Sequence, residues 1–144
     1  MNSSNEKTLE KSLKILRRLH FKPENIMVTG SLALDIHGIL PDNRISHDAD
    51  FFVKMSADDW KCMKLIAAVY GKENDYSCKD EQVSFTINDT TLNIWKNFPY
   101  ENTRVKDKSG IWVSPVENIL AAKKGYGRKK DLDDIIAISK KVLG

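Results

Sequence analysis

Two carboxylates one residue apart, Asp48 and Asp50, open the apolar run Phe51-Phe52-Val53. On a strand, whose side chains alternate between faces, both acids point the same way. With nothing cationic between them they repel, and the arrangement is costly unless a positive charge joins them. Magnesium (or manganese) fits, because such an ion takes oxygen ligands and commonly shares one or two carboxylates with substrate phosphates. A second chemical element lies upstream, where Gly30-Ser31 closes the run Ile26-Met27-Val28. If that run is a strand feeding a helix at Ser31, the turn presents backbone N–H groups to a phosphate. Together the two elements make a site for a metal-bound nucleoside triphosphate. Each alone is a weak signal, since Asp-x-Asp on a solvated edge and Gly-Ser in a turn are both common.

Five basic residues, Lys123, Lys124, Arg128, Lys129 and Lys130, lie within eight positions around Gly125-Tyr126-Gly127. Such a run is either a solvated face or a phosphate-contacting surface, and its glycines allow close backbone approach to a ligand. The formal net charge of +3 is too small to mark the whole chain as a nucleic-acid binder.

Gly30-Ser31 with Leu32, Leu34 and Gly38, then Arg44-x-Ser46-x-Asp48-x-Asp50, resemble the signature of the DNA polymerase beta-like nucleotidyltransferase superfamily. Lys123 and Arg128-x-Lys130-Asp131-Leu132-x-Asp134-Ile135 are similar to motifs of its small prokaryotic members, the abortive-infection and toxin-antitoxin nucleotidyltransferases among them. The resemblance implies transfer of a nucleoside monophosphate from a nucleoside triphosphate to an acceptor. Asp48 and Asp50 would hold the metal, and Gly30, Ser31, Arg44, Arg128 and Lys130 would contact nucleotide and phosphate. Lys123 and Asp131 would complete the catalytic set, with Asp131 or Asp134 positioning Lys123 or the nucleophile. Where many members carry a third acid on a later strand, this chain has Asn93, which offers a metal a neutral oxygen but cannot serve as a general base. Three functions follow as alternatives. The first is an enzyme acting on RNA, such as a transfer-RNA end, or on protein, with a cognate antitoxin or other partner protein. The second is a nucleotide- or partner-binding module that lost turnover through Asn93. The third, ranked lowest, is an antibiotic nucleotidyltransferase, whose cationic substrates suit an acidic lid better than the basic one here.

The elements that must position these residues form an α/β (α+β) alternation. Ser3 caps a first helix, with Glu6 reaching back, and Leu9, Leu13, Leu16 and Leu19 follow at helical spacing to about His20. Strand Ile26 to Thr29 precedes a short helix from Ser31 to His37, stopped by Gly38 and Pro41. The loop from Leu40 to His47 delivers the Asp48 strand, and a helix from Ser56 ends at Gly71. Lys72 to Asp80 reads as a loop, Val83 to Trp95 as a hairpin turning at Asn88-Asp89, and Pro99 to Gly110 as irregular. Ile111 to Val113 forms a strand. Ser114-Pro115-Val116-Glu117 starts a helix that carries Lys123 and ends at Gly125. The last helix runs from Lys129 to Leu143, with Leu132, Ile135, Ile136, Ile138 and Val142 as its buried side. The expected architecture is one nucleotidyltransferase-like domain over residues 1–144. It has a mixed sheet of about four to five strands, flanked by helices, with the C-terminal helices closing the site.

At 144 residues, 41% hydrophobic and 30% charged, the chain has the size and balance of one soluble globular domain. It has no apolar run near the roughly 18 residues of a membrane span and no signal-peptide plan at its start, so a cytoplasmic protein without membrane contact is expected. Cys62 and Cys78 fit no zinc pattern and read as reduced thiols. Trp60, Trp95 and Trp112 read as core anchors. His47, adjacent in sequence to Asp48, would face away from it on a strand, and neither His20 nor His37 has an evident partner.

Overall fold

The structure, a computed structural model, describes residues 1–40, 44–70, 77–79, 81–100, 105–107 and 110–144, with the backbone alone for 77–79. The stops expected at Pro41 and Gly71 lie outside the described residues.

Helix α1 (Ser3–Arg18) is capped by Asn2, whose side chain accepts from the Asn5 backbone N–H; Ser3, the expected cap, is its first residue. Strand β1 (Ile26–Thr29) leads into α2 (Gly30–Ile36), followed by β2 (Asp48–Val53) and α3 (Ala57–Tyr70). Then come β3 (Ser77–Lys79), β4 (Gln82–Ile87), β5 (Thr90–Lys96), β6 (Val105–Lys106) and β7 (Trp112–Val113). Helices α4 (Val116–Tyr126) and α5 (Lys129–Leu143) complete the chain. The seven strands form one sheet in the order β3-β4-β5-β2-β1-β7-β6, in which β2 pairs parallel with β5, β1 pairs parallel with β7, and the other pairings are antiparallel.

The mixed α/β class is as expected, but the strand count exceeds the expected four to five. The two additional strands are short and lie in segments read as a loop and as irregular. β3 occupies the end of the polar 72–80 stretch and β6 lies within 99–110. Neither shows the apolar alternation that identifies a half-buried strand, because each is a sheet edge. The hairpin turn does match its reading. Asn88 and Asp89 take φ of 49° and 63°, the left-handed pair that a two-residue hairpin needs, and these residue types tolerate it without glycine.

Alternation along the central strands separates two faces. Ala49, Phe51 and Val53 of β2, Leu92 and Ile94 of β5, and Val83 and Phe85 of β4 join Leu9 and Leu16 of α1 and Trp60, Met63 and Ala67 of α3 in one core. The opposite face of the same strands carries the polar residues.

The start of α4 departs from its reading. Pro115, not Ser114, stands at the cap position and no side chain caps the helix. Ser114 is engaged elsewhere: its N–H donates to the Val28 carbonyl at 2.9 Å, its carbonyl pairs with His37 Nε2 at 2.8 Å, and its hydroxyl meets the Tyr100 hydroxyl at 3.0 Å. His37 therefore has a structural partner. The helix passes through Gly125 and stops at Gly127, whose φ of 63° is the left-handed conformation of a glycine C-terminus.

The inward side of α5 is the largest correction. Its buried residues are Asp131, Asp134 and Ile138, while Leu132, Ile136 and Val142 are 48%, 55% and 59% exposed. The facing surface is cationic, so carboxylates turn inward where apolar periodicity placed leucine and isoleucine. Among the described residues, no helix is long and apolar enough to cross a membrane.

Candidate functional site

Strand registry lays the polar face out in rows. Thr86, Thr91 and Asp48 stand side by side across β4, β5 and β2; Ser84, Asn93, Asp50 and Thr29 form the next row; Gln82, Trp95 and Phe52 form the third. Directly paired residues share a face, so Asp48 and Asp50 both look into the same space, as their spacing predicts. That space is a cleft of about 570 Å³. Its floor is this face, and its other walls carry Gly30, Ser31, Arg44, Lys123, Arg128, Lys130 and Asp131. Every residue expected to contact metal, nucleotide or phosphate thus borders one cavity.

Asn93 links the acids. Its amide nitrogen donates to Asp50 Oδ1 at 2.7 Å and approaches Asp48 Oδ2 at 3.5 Å, while its carbonyl accepts from the Ser84 hydroxyl at 2.6 Å. The orientation follows from chemistry, since carboxylates require a donor and the serine can supply one to the carbonyl. In this pose Asn93 turns a donor to the acids and not the metal-binding oxygen that its residue type suggests. Gln82 extends the chain of hydrogen bonds, donating to Ser84 Oγ at 3.2 Å.

Burial pushes the Asp50 carboxyl up from its usual 3.8 to about 6, and the charge of Asp48 adds to the rise, against the opposing Asn93 amide, Lys123 and Lys130. A raised folded-state value means that the native protein holds an extra proton between roughly pH 4 and pH 6, so stability present below that window is lost as pH climbs through it. Asp50→Asn is expected to stabilise the metal-free protein at pH 7.5 by up to about 3 kcal/mol, with the gain gone near pH 4. Thermal melts at the two pH values check this; an equal gain at both would contradict it.

Gly30 fixes the distance between the acids and α2. Its φ is +66°, and a Cβ there would overlap Asp50 Oδ2. Gly30→Ala is expected to cost about 1–3 kcal/mol in a urea titration through backbone strain and displacement of Asp50. A loss under roughly 0.5 kcal/mol would show that the carboxylate does not sit against the glycine.

The cations are wired to two aspartates that have no exposed surface. Asp134 Oδ2 accepts from Lys123 Nζ at 3.1 Å and from Arg44 at 3.0 Å, and the second Arg44 nitrogen lies 2.7 Å from Oδ1. Asp131 accepts from Arg128 at 2.6 and 3.2 Å, with Lys123 at 3.7 Å. The Arg128 hydrogen bonds hold the Asp131 carboxyl below its usual range and raise the guanidinium in return. Lys130 is exposed and forms no ion pair with the described residues.

Arg44 is placed by α1. The buried Asn5 accepts from the Ser46 N–H at 2.7 Å and donates to the Arg44 carbonyl at 3.2 Å, clipping the segment before β2 to the first helix. His47 precedes β2 and is exposed on the rim of the cleft, because the alternation that would turn it away begins one residue later.

Two tryptophans depart from their reading as core anchors: Trp95 and Trp112 are both half-buried and stand outside the core. Trp60 is buried as expected, but Trp95 and its neighbour Phe52 are half-buried and line the cleft. The signal was present in the sequence, since Phe52 continues the period of two that runs from Asp48 through Asp50. Ser84 and Gln82 carried no comparable signal, because their parts depend on contacts across the sheet.

The acidic pair offers a metal oxygen ligands, and among the described residues no group of three or more His, Cys, Asp or Glu side chains could enclose one. Two carboxylates facing a cationic wall fit an ion that completes its shell with phosphate oxygens and water, not one caged by protein. Exposed Cys62 is a free thiol.

No protein-family model and no curated protein matches the chain. Among solved structures, a proposed nucleotidyltransferase of Thermotoga maritima, TM1012, is 19% identical over 78% of this chain and 68% of its own, with a TM-score of 0.36. JHP933 of Helicobacter pylori is 20% identical over 82% of this chain and 56% of its own, with a TM-score of 0.44. The chain thus spans little more than half of JHP933. At this distance neither likeness transfers an activity.

Proposed function

We propose that this chain is a metal-dependent nucleotidyltransferase that moves a nucleoside monophosphate from a triphosphate to an acceptor. One observation supports this above the others: Asp48 and Asp50 converge on a cleft whose facing wall carries Lys123, Arg128 and Lys130. Acids that need a cation and cations that need an anion, set across one cavity, suit a metal polyphosphate.

Asp48 and Asp50 would hold magnesium or manganese, which when bound supplies Lewis-acid stabilisation of charge on phosphate oxygens. Lys123 reaches the cleft with its ammonium oriented by Asp134, and Arg128 presents a planar fork suited to phosphate. Lys130 adds a cation that forms no ion pair with the described residues. Gly30 and Ser31 line the same wall and bring backbone N–H groups toward the terminal phosphates. Asp131, 3.7 Å from Lys123 and lining the cleft, would help Asp134 hold that ammonium beside the acceptor. Lys124 and Lys129, exposed and adjacent in sequence to the cleft residues Lys123, Arg128 and Lys130, suit a phosphate-bearing acceptor such as an RNA end. A phage-defence or toxin-antitoxin setting, with a cognate partner protein, and a cytoplasmic location belong to the same proposal.

Incubating the protein with each labelled triphosphate, magnesium and total RNA is expected to label RNA. Label on protein alone would move the acceptor to a polypeptide, and no label anywhere would count against transfer. The pose of Asn93, an amide donor seated between the acids, favours a second reading in which nucleotide is bound without turnover. Asn93→Asp separates the two: a rate unchanged or lowered fits the first reading, and transfer seen only in the variant fits the second.

A further inference from the structure

Phe52 and Trp95 stand in register on β2 and β5, one row beyond Asp50 and Asn93. Two residues along a strand place that row about 7 Å from the carboxylates. The phosphate-binding groups lie toward the other end. Arg44 enters from before β2, on the Asp48 side, and Gly30 follows Thr29, the residue paired with Asp50. A triphosphate with its terminal phosphates at Gly30, Arg44 and Lys123 and its first phosphate at the acids therefore directs its nucleoside toward the aromatic row.

That row is built to stay in place. Phe52 is held edge-on by Tyr100, with centroids 5.6 Å apart and planes at 79°, and leans on Trp95 at 5.7 Å and 48°. Trp95 lines the cleft, and its indole N–H makes no hydrogen bond with the described residues, although a tryptophan in the protein interior usually satisfies it. Beside it, Gln82 donates to Ser84 and leaves its carbonyl oxygen unpaired among the described residues. An aromatic surface flanked by one donor and one acceptor that are unpaired among the described residues has the chemistry to receive a purine or pyrimidine ring.

We propose that Phe52 and Trp95, with Gln82 at their edge, form the seat of a nucleobase, and that the base is the triphosphate's own. This rests on the metal-triphosphate reading of the carboxylate pair. Stacking on a protein aromatic contributes roughly 1–3 kcal/mol per base by truncation, and tenfold in affinity corresponds to about 1.4 kcal/mol.

Calorimetric titration with magnesium tripolyphosphate, which has no base, and with α,β-methylene analogues of the four triphosphates tests the idea. In the unaltered protein at least one analogue is expected to bind about tenfold or more tighter than tripolyphosphate. Trp95→Leu should remove most of that difference and leave tripolyphosphate affinity unchanged, with Phe52→Leu as a second variant should the first fold poorly. A difference that survives both substitutions overturns the seat. Weakened binding of an RNA oligonucleotide with analogue affinity unchanged also overturns it, assigning the row to the acceptor. Failure of both tripolyphosphate and the analogues to bind the unaltered protein would remove the underlying metal-triphosphate reading instead.

Discussion

Replacing both Asp48 and Asp50 with Asn is expected to lower nucleotidyl transfer by at least about 10³-fold, with the fold retained. The estimate follows from the several kcal/mol of charge stabilisation that a metal clamp on a phosphoryl oxygen provides, at about 1.4 kcal/mol per factor of ten. The substitutions keep side-chain shape and remove the negative charge on which a hard cation depends. They also remove the mutual repulsion and burial cost that raise Asp50, so the metal-free double variant should melt no lower than the parent at neutral pH. Opposite movement of activity and stability sets this apart from ordinary damage. Single-turnover assays and thermal melts on the same preparation check both halves; transfer within tenfold of the parent would remove the pair from the mechanism.

The largest effect on stability is expected at Asp134. It lies fully buried and answers two cations from different parts of the chain, Lys123 of α4 and Arg44 ahead of β2. Removing one member of a buried ion pair leaves the partners' charge without compensation, at a cost of about 3–5 kcal/mol. Asp134→Ala should therefore lose most of the margin by which a domain of this size stays folded. Arg44 is about 29% exposed at its side chain and can turn to solvent, whereas Lys123 at 9% cannot do so easily. Pairing Asp134→Leu with Lys123→Met should accordingly recover much of the loss, because an apolar pair replaces a buried charged one at little cost. Urea titrations of the three proteins decide the matter. A loss below roughly 1 kcal/mol in the alanine variant would show that the network contributes little.

The sequence made the site more legible than the fold around it. Asp48 and Asp50 advertise a shared face through spacing alone, and Asn88-Asp89 marks its hairpin because those residue types tolerate left-handed backbone. The last helix spans Lys129–Leu143 as its periodicity predicts, yet its orientation was misread. Hydrophobic spacing assigns Leu132 and Ile136 to the interior; what turns Asp131 and Asp134 inward is the positive charge on α4 and ahead of β2, a property of other segments. Trp95 was misplaced for a related reason. A tryptophan on a strand reads as core until pairing shows that it shares a face with Asn93 and not with Ile94. The short edge strands β3 and β6 carry too few residues for alternation to register.

The account turns on one divalent ion shared between Asp48, Asp50 and a triphosphate. Calorimetric titration of a non-hydrolysable triphosphate, with magnesium and with chelator, measures that coupling directly. The prediction is tight binding with magnesium, at least tenfold weaker binding in chelator, and no magnesium effect in the Asp48→Asn, Asp50→Asn double variant. Affinity that is the same with and without the ion, or a magnesium effect that persists in the double variant, would contradict it.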